Sequence, residues 1–167
     1  PLKHPTLAAE LRIYSLFNAY AGSGLAGFWC QWDDDKLTAV AAKMDSDLTL
    51  CLYDGADVEE ICEFLSVVGA GSVLSNKPLP IAKGKELYQF CYTPKSGAET
   101  CFADVDYKTA YSIMSTRFDM PPYDVWYPDL CHRVRHGAAC LISENGASLC
   151  GFMADDGMLI VGFSSLP

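Results

Sequence analysis

Residues 27–53 read GFWCQWDDDKLTAVAAKMDSDLTLCLY, and this stretch decides the fold. Three apolar runs, Gly27 to Trp32, Leu37 to Lys43 and Leu48 to Tyr53, are separated by the acidic turns Asp33-Asp34-Asp35-Lys36 and Asp45-Ser46-Asp47. Short runs rich in aromatic and β-branched residues, joined by turns this tight, predict an antiparallel meander. On the N-terminal side, Thr6 caps a predicted helix whose apolar stripe is Leu7, Leu11, Tyr14 and Phe17, or else Ile13, Phe17 and Tyr20, and Ala21-Gly22-Ser23-Gly24 stops it. On the C-terminal side, Asp54-Gly55-Ala56-Asp57 leads into a second helix. Asp57 is its N-cap, Glu59 and Glu60 suit the positive end of the helix dipole, and Ile61, Phe64, Leu65 and Val68 form its apolar face. Gly69 ends that helix, and Ser72-Val73-Leu74 reads as a further strand.

The stretch Asn76 to Lys85 holds two prolines, a glycine and three lysines and reads as a boundary. It divides the chain into units over 1–82 and 83–167. In the second, Leu87 to Tyr92 alternates as a strand, and Asp104 or Asp106 caps a helix through Tyr107, Tyr111 and Met114. Pro121-Pro122 breaks the chain before a helix from Tyr123 to His136, with Gly137 as C-cap. Three runs follow, Ala138 to Ile142, Ser148 to Ala154 and Met158 to Phe163, joined at Glu144-Asn145-Gly146 and Asp155-Asp156-Gly157. Sliding the sequence so that Cys30 lies on Cys140 brings the two meanders into one frame without gaps, with Asp45 on Asp155 and Leu50 on Ile160. The expected class is α+β (mixed α/β), with two antiparallel meanders each flanked by helices.

Composition narrows the function. The chain has 167 residues, half of them apolar, enough for a core and against disorder. Its 12 basic and 21 acidic side chains give a charge of −9, which argues against nucleic acid and against a polybasic membrane patch. No apolar run approaches the roughly 20 residues of a membrane-spanning helix. The eight cysteines include no C-x-x-C pair and sit in apolar runs such as Leu50-Cys51-Leu52. They read as reduced core thiols of a cytoplasmic protein rather than as a disulfide framework.

Residues 123–167 resemble the GCN5-related N-acetyltransferases, the GNAT superfamily, in a helix ending Asp129-Leu130-Cys131-His132-Arg133-Val134-Arg135-His136-Gly137 and in the strand end Gly162-Phe163-Ser164-Ser165-Leu166-Pro167. The family order of strand, two helices and three-strand meander is the order read over 87–163. The resemblance implies acetyl transfer from acetyl-CoA to an amine acceptor, with the backbone of Ser165 and Leu166 meeting the pantetheine arm. It also implies that the first half is a degenerate copy, with Asp54-Gly55-Ala56-Asp57 where the family's pyrophosphate loop would be. No glycine-rich loop of that kind occurs, so the expectation is a partial chain lacking the cofactor loop. The alternatives are a non-catalytic GNAT-derived binding or regulatory module, or a structural dimerisation domain; a homodimer is compatible with each.

Other candidates carry two readings each. His132 and His136 share a helix face and could hold a metal or act as a base, or simply suit the negative end of the dipole with Arg133 and Arg135. The acidic turns at Asp33-Asp34-Asp35, Asp45, Asp47, Asp155 and Asp156 could attract a cationic amine, or be solvated hairpin ends. Cys131 and His132 are adjacent but point to different helix faces, which argues against a nucleophile–base pair.

Overall fold

A computed structural model of the chain describes residues 7–81, 83–88, 106–144, 147–154 and 157–165. They fall into two compact units, one within Leu2–Cys91 and one within Tyr92–Pro167. Both mix helices with sheet, so the protein is of the α+β class.

The first unit starts with helix α1 (Leu7–Tyr20), followed by the meander β1 (Ala26–Asp33), β2 (Lys36–Met44) and β3 (Asp47–Leu52). Asp34 and Asp45 take left-handed φ values of 50° and 52°, a conformation that Asp tolerates because its short side chain bonds locally. Helix α2 (Val58–Val68) then crosses over to β4 (Ser72–Ser75), which pairs parallel to β3, giving the order β1-β2-β3-β4. Asp57 caps α2 by accepting from the N–H groups of Glu59 and Glu60, and Gly69 closes it at φ 68°. Period-2 alternation puts Ala39, Ala41, Leu48, Leu50 and Leu52 on one sheet face, where Ile61 and Leu65 of α2 cover them. Helix α1 packs on the other face, with Glu10 Oε1 4.0 Å from Cys51 Sγ.

Two contacts tie this sheet to its surroundings. The Trp29 ring lies against Gly27, where a Cβ would come within 2.2 Å of it, and packs at a tilt of 60° and 5.2 Å between centroids on Phe64 of α2. Asn76, in the stretch read as a boundary, is part of the sheet: its Oδ1 accepts from Leu52 N–H at 2.7 Å and its Nδ2 donates to Leu52 C=O at 2.9 Å.

The second unit has α3 (Tyr107–Met114), α4 (Tyr123–Arg135), and the meander β5 (Ala139–Glu144), β6 (Ala147–Ala154) and β7 (Gly157–Ser165), in the order β5-β6-β7. Asp106 is the cap of α3. α4 ends at Arg135 with His136 as its C-cap, one position before the expected Gly137, which follows at φ 66°. Ala110, Met114 and Leu130 from the helices pack on Ala139, Leu141 and Cys150 of the sheet. Residues 83–88 form no strand, which corrects the start of the strand expected at Leu87; residues 89–92, like Thr6 and Asp104, lie outside the described residues. Among the described residues no helix is long and apolar enough to cross a membrane.

Candidate functional site

The exit of the third meander strand is the place where the two units can be compared chemically. In the first unit, β3 is flanked on both sides, by β2 and by β4. Its ladder with β4 ends at Leu50 and Ser75, and the Asn76 carboxamide continues it one step further, standing in for a peptide group at Leu52. Lys77 Nζ adds a bond to Tyr53 C=O at 3.3 Å and an exposed ion pair to Asp54 at 3.5 Å.

The following loop leads into the N-terminus of α2, an arrangement whose N–H groups would suit an anion. Here those groups are already used: Asp57 accepts the N–H groups of Glu59 and Glu60 at 3.0 and 3.1 Å. Gln31 of β1 reaches the same place. Its Oε1 accepts from Asp57 N–H at 3.0 Å, while its Nε2 donates to Asp57 C=O and to the Glu60 carboxylate. The cavity beside it, about 270 Å³, is lined by Gln31, Trp32, Asp33, Thr38, Gly55, Asp57 and Glu60. Three carboxylates around the space where a phosphate would sit make it repel anions.

Behind this exit, the buried Cys51 lies with the half-buried Glu10 and Tyr53. Burial pushes the Cys51 thiol up to about 11, and burial beside Cys51 and Glu10 raises the Tyr53 phenol. Both stay protonated at neutral pH, so Cys51 is no nucleophile.

In the second unit β7 pairs with β6 alone, so its other edge carries no strand among the described residues. Ser165, an expected cofactor contact, is the last described residue of β7 and pairs with Ala147; Leu166, the other, lies outside the described residues. His132 and His136 do come together in the last turn of α4, with ring centroids 4.5 Å apart. No third ligand joins them: among the described residues no group of three His, Cys, Asp or Glu could hold a metal. Cys131 faces Tyr107 and Tyr127; a hydrogen bond to Cys131 raises the Tyr127 phenol, and burial raises that of Tyr107. The cysteine is thus turned to tyrosines rather than to a histidine base. Around it Tyr107, Tyr111, Tyr123, Trp126 and Tyr127 pack ring to ring at 5.2–6.0 Å, joining α3 to α4.

The acidic turns do not converge. Asp33 to Asp35 lie at one end of β2 and Asp45 at the other, about 30 Å apart for a strand of that length. Asp155 and Asp156 lie outside the described residues. The described cysteines are thiols rather than disulfides, and burial pushes Cys150 up to about 11 and raises Cys140. Gln31 and Asn76, the two amides that close the first unit's strand exit, carry no local sequence signal: their partners are 26 and 24 residues away. Comparison with known family models, with curated proteins and with solved structures found no match to this chain.

Proposed function

We propose that the chain belongs to a GNAT-like N-acetyltransferase, with the acyl donor held along the outer edge of β7 and the first unit acting as a companion without a phosphate site. The observation that carries this reading is the order of two helices and a three-strand meander whose last strand has no outer neighbour among the described residues. The main-chain N–H and C=O groups of such an edge offer acetyl-CoA a ladder for its pantetheine amides. A backbone N–H near Ser165 and Leu166 polarises the thioester carbonyl. The acceptor nitrogen attacks the carbonyl carbon, the N–C bond forms and the C–S bond breaks. The thiolate of CoA leaves and takes up the proton that the amine gives away. A protein with a charge of −9 favours a cationic amine as acceptor.

The first unit supports a second reading for itself, a GNAT-derived binding or regulatory module. Asp57 fills the N–H groups at α2, and Asn76 fills the strand exit at Leu52. The test is acetyl transfer by the full gene product to a panel of small amines and lysine peptides, followed by release of CoA thiol. Turnover that needs the second unit but survives Asp57→Ala supports the proposal. Absence of thiol release with every amine, together with no acetyl-CoA binding, refutes the enzyme reading and leaves the binding module.

A further inference from the structure

The two edges of the first sheet are protected unequally. β4 is four residues long and runs into Pro78 and Pro80, and short strands and prolines both discourage a further strand. β1 is eight residues long, contains neither Pro nor Lys, and has no neighbour on its outer side among the described residues. Apolar side chains stand exposed along it on both faces. Phe17, 52% exposed, packs edge-on against Phe28, and Leu25, just before the strand, is 64% exposed. Trp29, against Phe64 of α2, is 38% exposed, and Trp32 is 59% exposed. A strand edge bordered by apolar rows is a pairing template.

We propose that β1 pairs with β1 of a second copy of this chain, antiparallel about a two-fold axis beside Cys30, so that one sheet runs through both copies. Charge selects the partner and the direction. In this register Asp33 faces Gly27 of the second copy, whose neighbour in the ladder is Lys43. That places the acidic turn two strand spacings, about 10 Å, from a lysine, within reach at physiological salt. The two Asp33 residues lie six positions apart along the strands, about 20 Å, where their repulsion is screened. A parallel arrangement would set the two acidic turns side by side. The same register puts Trp32 opposite Phe28 and Gln31 opposite Trp29, and aromatic cross-strand pairs are favourable. Symmetry makes each contact occur twice.

The experiment is sedimentation equilibrium of the full chain over micromolar concentrations, with Cys30→Lys and Trp32→Lys as variants and circular dichroism to compare their folding. The expected result is a mass twice that of the chain, with dimer affinity lowered about tenfold or more in each variant, since Cys30→Lys sets two lysines against each other at the axis and Trp32→Lys replaces the aromatic partner of Phe28 with a charge. A short bismaleimide should also join two wild-type chains through the exposed Cys30, and Cys30→Ser should abolish that product; this readout stands even if a lysine variant fails to fold. A single-chain mass at every concentration, an unchanged affinity in both folded variants, or cross-linking that persists in Cys30→Ser overturns the proposal.

Discussion

Replacing Asn76 by Ala should destabilise the first unit by about 2–3 kcal/mol, a large share of an ordinary domain's margin. The side chain makes two hydrogen bonds to one residue, 2.7 Å from Leu52 N–H and 2.9 Å from Leu52 C=O, and Leu52 itself is only 2% exposed. Alanine leaves both main-chain groups unmatched. Each such group costs about 1–3 kcal/mol when water cannot reach it, and the partly open surroundings of Asn76 place the sum near the lower end. Native-state hydrogen exchange at the amides of Leu48 to Leu52 reads this unit alone, which a global melt of a two-unit chain does not. Those amides should exchange faster by about two orders of magnitude, while the α3 and α4 amides stay as they were. Asn76→Asp sharpens the test. Its carboxylate still accepts from Leu52 N–H but faces the Leu52 carbonyl, and on protonation it becomes a donor to that carbonyl. Protonation is therefore favoured in the folded state, the folded pKa rises, and the variant's deficit should grow as pH rises through that value and shrink in acid. Exchange in Asn76→Ala within a factor of about two of wild type, or a pH-independent deficit in Asn76→Asp, would refute the role assigned to this carboxamide.

Gly27→Ala should cost about 1–3 kcal/mol, because a Cβ there meets the Trp29 ring at 2.2 Å and must push it off Phe64; a shift in Trp29 fluorescence with lower urea resistance checks it, and an unchanged midpoint counts against the packing. The Asp106 carboxyl is held below its ordinary range by Thr109 and by the N–H groups of Thr109 and Lys108, so its support for α3 is present above that range and fades as pH falls through the lowered value. Asp106→Asn, which keeps the cap without the charge, should flatten the acid sensitivity of the α3 amides; an identical acid profile in the variant opposes this. Thiol modification at pH 8 should reach exposed Cys30 first, while Cys51 and Cys150, with pKa values pushed to about 11, are thiolate in only about one molecule in a thousand and lag far behind; equal rates at all three would contradict the burial.

The parts of this fold legible in the sequence are those fixed by neighbours in the chain. The turns at Asp34 and Asp45, the caps Asp57, Gly69 and Asp106, and the alternation of Leu48, Leu50 and Leu52 each depend on a few adjacent residues, and all appear where the pattern put them. The two meanders also keep a common frame: the slide that carries Cys30 to Cys140 carries Asp47, the start of β3, onto Gly157, the start of β7. What the sequence concealed depends on distant partners. Nothing around Asn76, between a strand and two prolines, indicates that its side chain completes a ladder at Leu52, so the segment reads as a spacer. Gln31 looks like one polar residue on an aromatic strand, yet it holds the turn into α2. The acidic loop was visible as a departure from an anion site, and the structure adds the cause, since Asp57 spends its charge on its own helix.

Hydrogen exchange of the full gene product with and without acetyl-CoA is the most direct measurement. The outer edge of β7 should gain protection at amides within 157–165 when acetyl-CoA is added, while Leu52, already bonded to Asn76, should not change. Protection that appears at β3 and the 54–57 loop instead, or no change at β7 at saturating acetyl-CoA, would contradict the assignment of the donor edge.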